Sequence, residues 1–178
     1  MSVPGANRVP ERLTNFRIYN DAEDLLGTVD IELPELKYMA DEIQGAGMAG
    51  KVESPVIGHF DSMTTTINWR TIEKKATQLM AMKAHLITAR GAMQNYNASD
   101  GEWPVVPVRC VMRVMPKGLN LGKFEVGATT DTSNEFEVIY LKLFIADKEV
   151  IEIDKFNYVC KINGVDVLAT VRQAMGLA

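Results

Sequence analysis

The run Gly45-Ala-Gly-Met-Ala-Gly50-Lys51 is the first place in this sequence where chemistry is conceivable, because glycine-rich loops ending in lysine cradle phosphates. The phosphate-loop spacing fails. Val52 stands where a Ser or Thr should follow the lysine, and no helix begins there to aim its dipole at an anion. A mobile assembly loop or a plain hairpin tip is the better reading of Gly45, Ala46, Gly47, Met48, Ala49, Gly50 and Lys51. His59 and His85 are the only histidines, and neither has a partner at metal-ligand spacing. Asp61 shares a strand face with His59, which is the one arrangement resembling a base pair. Cys110 and Cys160 lie in apolar runs and read as buried free thiols, with no base or electropositive setting to activate them. Glu152 and Asp154 share a strand face beside Glu149, and read as a solvated or subunit-facing acidic surface. Arg109, Arg113 and Lys117 form a basic stripe without the interleaved aromatics of single-strand binders. No cofactor, no metal and no enzymatic activity are expected.

Composition narrows the classes further. With 178 residues, 47% of them hydrophobic, the chain suits one domain with a sizeable core. A formal net charge of −4 argues against a free nucleic-acid binder, which concentrates Lys and Arg to displace counterions. No apolar run is long enough to span a membrane, and Met1-Ser-Val-Pro-Gly5 lacks the features of a signal peptide. Two cysteines imply no disulfide framework.

The elements that must position these residues are mostly strands. Residues 1–12 carry Pro4, Gly5 and Pro10 and read as a flexible arm that orders on a neighbour, leaving 13–178 as a single domain. Strands are expected at Asn15–Tyr19 and Thr28–Leu33, with a turn at Asp21–Asp24. Leu36–Gln44 fits neither period cleanly. Met63, Thr65, Ile67 and Trp69 alternate with polar residues and predict a half-buried strand. Thr71 is a candidate cap for a helix with an apolar stripe of Ile72, Ala76, Leu79 and Met80 and an outward face of Glu73, Lys74, Lys75 and Gln78. Lys83–Asn95 reads as a strand bulged near Gly91, and Val105–Met115 as a strand with alternate faces. Phe136–Ile145 is apolar enough for a strand covered on both faces. Ala146-Asp147-Lys148 reverses the chain, Asn163-Gly164 turns it again, and a short helix near Asp166 ends at Gly176. Without βαβ alternation, the class is mainly β (α+β): an antiparallel barrel or sandwich with one or two short flanking helices.

Three passages then carry a resemblance. They are Asp30-Ile-Glu-Leu-Pro-Glu-Leu-Lys-Tyr38 with Gly45-Ala-Gly-Met48, Pro104-Val-Val-Pro-Val108, and Glu149-Val-Ile-Glu-Ile-Asp154 followed by Ile162-Asn-Gly-Val-Asp-Val-Leu-Ala-Thr-Val-Arg-Gln-Ala-Met-Gly-Leu177. Together they resemble the major tail tube protein of contractile-tailed bacteriophages and R-type bacteriocins. The resemblance covers roughly Leu13 to Leu177. In that family the hairpin turn before the acidic strand can carry glycine, whereas Asp147-Lys148 occupies it here.

The resemblance implies a structural subunit that forms hexameric rings stacking into the inner tube of a contractile tail. It implies a barrel continuous around a lumen, and a place in a virion or bacteriocin particle assembled in the bacterial cytoplasm. The implied partners are further copies of itself, a contractile sheath protein, tail initiator or baseplate proteins, and double-stranded DNA if the particle is a phage. Gly45–Lys51 becomes a candidate ring-stacking loop, and Glu73, Lys74, Lys75 and Gln78 a candidate sheath-facing surface. A type VI secretion tube subunit is the alternative of similar architecture, and a β-barrel ligand module or enzyme the alternative of a different class. A lumen that conducts DNA should be acidic or neutral, with Arg109, Arg113 and Lys117 turned away or paired.

Overall fold

A computed structural model describes residues 7–21, 24–27 and 29–177. The chain is mostly antiparallel strand with two short helices. The strands are β1 (Arg8–Asn20), β2 (Asp24–Leu25), β3 (Val29–Glu32), β4 (Tyr38–Ile43), β5 (Val52–Phe60), β6 (Thr64–Trp69), β7 (His85–Asn97), β8 (Val105–Asn120), β9 (Thr132–Ile145), β10 (Lys148–Asp154), β11 (Val159–Ile162) and β12 (Val165–Asp166). The helices are α1 (Lys74–Gln78) and α2 (Ala169–Ala174).

One large sheet runs β12-β11-β10-β9-β8-β7-β1-β2. Strand β9 is its pivot. Its first half pairs with β6 from Thr132 to Glu137, its second half pairs with β10 from Tyr140 to Ile145, and β8 follows it along the other side. The fork lets β6 and β3 fold away from β10 and curl over the inner face, where α1 lies. The sheet does not close into a barrel. Strands β1 and β3 come near one another but are not paired among the described residues, and Leu13 and Phe16 of β1 and Ile31 and Leu33 flank an apolar groove of about 300 Å³ between them. The groove is the open seam of the fold.

The core fills the inner face with Ile18, Ile67, Trp69, Ile87, Met112, Val114, Phe136 and Val138, capped by Ala76 and Leu79 of α1. The expected alternation in β6 is the one observed: Met63, Thr65, Ile67 and Trp69 are buried. One polar side chain sits among these apolar groups. Asn134 accepts the Trp69 indole N–H at 2.7 Å and donates to the Ala76 carbonyl at 3.0 Å, so β6, β9 and α1 share a single buried amide.

Several sequence expectations are corrected. Of the expected arm, residues 1–6 lie outside the described residues, and Arg8–Arg12 already pair with β7, so β1 runs unbroken across residue 13. The irregularity expected at Gly91 belongs to β1, whose register slips between Pro10 and Arg12 and between Leu13 and Asn15. Gly91 itself is where a side chain would meet Leu13, with an added Cβ falling 2.8 Å from Leu13 Cδ1. Thr71 does not cap α1; Glu73 holds that position without a side-chain hydrogen bond. Strand β9 alternates buried and half-buried residues instead of being covered on both faces, because its charged neighbours on β8 and β10 leave the outer face open to water. The turns hold as turns. Ala146-Asp147 and Asn163-Gly164 both place two successive residues at positive φ, the conformation whose twist matches a two-residue hairpin. Asp147 thus supplies without glycine the turn for which the resembled family can use one. Helix α2 ends with Leu177 N–H donating to Arg172 and Gly176 N–H to Gln173, a left-handed glycine stop.

The β8–β9 connection is also tightly built. Gly122 has φ +75, and a Cβ there would lie 1.7 Å from the Thr130 carbonyl oxygen. Gly122→Ala is therefore expected to destabilise the fold by about 2 kcal/mol or more, since both the conformation and the space are wrong for a side chain. Urea unfolding midpoints of the two proteins measure it.

Candidate assembly interface

Three surfaces stand out, and none has the geometry of an active site. The first is the β4–β5 hairpin. It forms its own two-stranded sheet, paired from Tyr38↔Phe60 to Ile43↔Val52 and joined to no strand of the large sheet. Every residue of β4 is exposed. Ile43 and Val52 are cross-strand partners, and Val56 lies on their face by strand alternation; all three are about half exposed, as are Met39 and Ile57. The base is tied down by the Tyr38–Phe60 ring stack at 4.6 Å, by Asp61 N–H donating to the Lys37 carbonyl, and by Leu168 packing at Gly58. A two-stranded ribbon with apolar faces in water is marginal alone, so this one is shaped to meet another surface.

The expected glycine loop is the tip of this hairpin. Met48 N–H donates to the Gly45 carbonyl, and Lys51 pairs with Glu42 at 2.6 Å across the stem. Of Gly45, Gly47 and Gly50, only Gly47 has a positive φ, at +94. The three glycines are therefore not equivalent. Gly47→Val is expected to distort the tip, whereas valine at Gly45 or Gly50 meets no neighbouring atom within 4 Å. Amide exchange at the tip of each variant distinguishes them.

The second surface is the open edge of β1. Its pairing with β2 covers only Tyr19 and Asn20, so the backbone from Arg8 to Arg17 lacks a strand on that side among the described residues. Unpaired edges template further pairing.

The third is the outer face of the large sheet, where opposite charges lie side by side. Lys142 binds Glu149 at 2.8 Å and Glu152 at 3.3 Å; Lys161 binds Glu152 at 3.0 Å. Lys155 binds Glu137 at 3.0 Å, and Lys117 binds Glu135 at 2.6 Å. Arg109 lies over the Phe144 ring, 4.1 Å from its centre. The basic stripe of the sequence is thus split: Lys117 is paired, Arg109 is stacked, and Arg113 is exposed. The suspected carboxylate pair is not a pair. Glu152 serves the lysines, while Asp154 accepts from the Phe156 and Asn157 amides of the next turn.

Burial works to raise the carboxyls of Glu137 and Glu152, but hydrogen bonds outweigh it and hold both below the usual range. The donors are Ser62 and Lys155 for Glu137, and Lys161 and Lys142 for Glu152. The lowered folded-state value means these groups stabilise the fold above the unfolded glutamate value of about 4.3 and cease to do so as pH falls through the folded value. Glu152→Gln is expected to flatten the acid limb of stability against pH, measured as urea midpoints from about pH 7 to about pH 3.

The remaining candidates for chemistry are dispersed. His59 Nδ1 lies 2.8 Å from the Ile57 carbonyl and makes no bond to Asp61. His85 is buried with Nε2 near the Ala81 carbonyl. Both cysteines are buried, and burial pushes the Cys110 thiol up to about 12, leaving it neutral. Among the described residues no cluster of His, Cys, Asp or Glu could hold a metal, and no helix is long and apolar enough to cross a membrane.

Helix α1 divides its expected outward face. Lys75 donates to Asp24 at 2.7 Å and to the Leu25 carbonyl, fastening β2 to the body. Glu73 is half-buried, which leaves Lys74 and Gln78 fully outward.

A family model described as phage tail tube protein FII matches residues 10–176. The chain belongs to that family. This tail tube subunit is 26% identical over 176 residues to the tail tube protein of Escherichia phage P2, across 95% of this chain and 99% of that protein. Its fold is similar to that of a chain in the cryo-EM structure of an extracellular contractile injection system, the PVC sheath/tube terminator in the extended state. The TM-score is 0.52 at 11% identity, covering 76% of this chain and 96% of the other. The subunit is a structural component of a tail tube, which accounts for large exposed surfaces without a catalytic cleft. Sequence reasoning missed the open edge of β1 and the detachment of the β4–β5 hairpin. Their signals were the long mixed strand after Pro10 and the apolar residues on both sides of the glycine loop.

Proposed function

We propose that the subunit closes into hexameric rings that stack into the inner tube of a contractile tail. The observation that carries this reading is the β4–β5 hairpin, which projects apolar residues away from the body with no partner in its own chain. The open edge of β1 offers the lateral contact, and a heterologous edge-to-edge contact closes into a ring when its rotation permits. The arm at 1–12 reaches a neighbour in this assembly, and Gly45–Lys51 lies at the contact between rings. A sheath protein meets the outside of the tube at Lys74 and Gln78, beside Glu73 and Lys75. Tail initiator and baseplate proteins start it. The particle is a phage virion or a bacteriocin, put together in the bacterial cytoplasm, and the subunit is not an enzyme.

The outer face of the large sheet is the face free to line a channel, since the other is occupied by the core. Its paired charges suit DNA passage. An ammonium already held by a carboxylate releases fewer counterions on meeting phosphate, so the channel wall does not arrest the duplex. Electron microscopy of the purified chain, alone and with a tail initiator, tests the assembly. Rings and tubes are expected; a monomer at every concentration, with and without the initiator, overturns it. Lys74→Glu is expected to leave tubes intact and weaken sheath attachment, read by co-sedimentation of sheath with preformed tubes. Reversal at Lys75 would also break the tie to Asp24 and is the poorer probe.

A further inference from the structure

The loop joining β8 to β9 presents apolar side chains to water. Phe124 is 89% exposed and Val126 fully so, the most exposed large apolar residues after Met82 is set beside them. Disorder is not the reason. Lys123 N–H donates to the Thr130 carbonyl at 2.8 Å, Thr130 N–H to Arg70 at 3.0 Å, Thr132 Oγ1 to the Leu121 carbonyl at 3.0 Å, and Gly122 N–H to Asn120 Oδ1 at 2.9 Å. Ala128 N–H closes the tip onto Glu125. A loop braced at this density has its ordering cost met in the free subunit, which is what a preformed binding element requires.

The receiving surface is the seam between β1 and β3. It is walled by Leu13, Phe16, Ile31, Leu33 and Met93, and its floor includes Gly91, where a side chain would intrude on Leu13. Cys110 adds a neutral, apolar wall. With about 300 Å³ of space, the seam can take an aromatic ring. The hairpin, whose side chains are spread along two strands, suits a flatter surface.

Knob and seam sit at opposite ends of one strand. The seam lies beside Val108 and Cys110, near the start of β8, and the knob follows Asn120 at its end. At about 3.3 Å per residue they are separated by roughly 35 Å along the sheet. No subunit can therefore fill its own seam. A knob at one end and a complementary pocket at the other make a heterologous contact that propagates without closing.

We propose that the Phe124–Val126 loop of one subunit inserts into the β1–β3 seam of a second copy in the adjacent ring. This deepens the stacking part of the proposed function and rests on it. The contact supplies the closure that the sheet lacks within one chain, and it gives the tube a polarity, since knob and seam point in opposite directions along it.

The test places a benzophenone-bearing phenylalanine analogue at position 124, irradiates assembled tubes and maps the captured peptides by mass spectrometry. The expected product is a cross-link to a second copy within 13–16, 31–33 or 89–93, in a ladder that extends past the size of one ring. Capture of another segment of the subunit, capture of sheath protein alone, or a ladder that stops at one ring overturns the proposal. So does the absence of any cross-link from tubes that form normally. As an independent arm, the double variant Phe124→Ser, Val126→Ser is expected to fold, to form rings and to lose stacking; tubes of ordinary length from this variant also overturn it. If rings and tubes never form in the unaltered protein, the assembly reading itself has failed, an outcome distinct from tubes that stack without this contact.

Discussion

Replacing Ile43, Val52 and Val56 together by threonine is expected to leave the folded subunit intact and abolish tube growth. The three side chains share one face of the β4–β5 hairpin and are about half exposed, so the free subunit loses few contacts. Surface changes of this kind usually move stability by no more than about 0.5 kcal/mol each. Threonine keeps the β-branch that a strand prefers, which protects the hairpin itself. In the assembled tube each of these residues is buried on a neighbour, where complete burial of a Val or Ile contributes about 1.5–3 kcal/mol. Losing most of that at three positions costs each subunit contact several kcal/mol, about a thousandfold in affinity at 4 kcal/mol. Sedimentation of wild type and variant at equal concentration, with thermal melts of the unassembled subunits as the control, measures both halves. Equal tube yield would remove the hairpin from the interface.

The second large effect lies inside the subunit. Asn134→Leu is expected to destabilise the fold by about 3 kcal/mol or more, because it strands the Trp69 indole N–H and the Ala76 carbonyl together, and a buried orphan group costs about 1–3 kcal/mol. For a chain of this length that corresponds to a fall of roughly 6–12 °C in Tm. The added leucine does not recover the loss by filling space, since Asn134 is fully buried between β6, β9 and α1 and the site has no void waiting for a branched side chain. Trp69→Phe in the same background removes one of the two orphans. The double variant should therefore be less destabilised than the sum of the single changes, a coupling that a cycle of melts detects. Strict additivity would mean that the amide bridge contributes nothing.

How much of this was legible in the sequence follows from which forces are local. The buried face of β6 could be read because strand alternation is a local pattern, and Met63, Thr65, Ile67 and Trp69 obey it. The Asn163-Gly164 turn and the glycine stop of α2 could be read because positive φ selects residue types. The fork of β9 could not, because a single strand paired with β6 along one half and β10 along the other carries no periodic mark; both halves look like ordinary strand. That fork is why the sheet curls without closing, which corrects the expected barrel. Bulges misled for a similar reason. Gly91 looked like the irregular position, but the slips fall across the ladder in β1, where Pro10 and Leu13 carry no comparable signal. On the surfaces, Glu73, Lys74, Lys75 and Gln78 share an outward stripe in the sequence, yet Asp24 and Leu25 take Lys75, an encounter set by chain folding 50 residues away. The glycine run was recognisable as a loop, while the separation of its stem from the main sheet appears only in three dimensions.

The central claim is that apolar elements unpartnered within one chain are partnered in a tube. A cryo-EM reconstruction of the assembled protein tests it most directly. It should show six subunits per ring, the β4–β5 hairpin of each buried against a neighbour, and the charge-paired face of the large sheet turned to the channel. A tube whose hairpins stand free in solvent, or a protein that stays monomeric under every assembly condition, would contradict it.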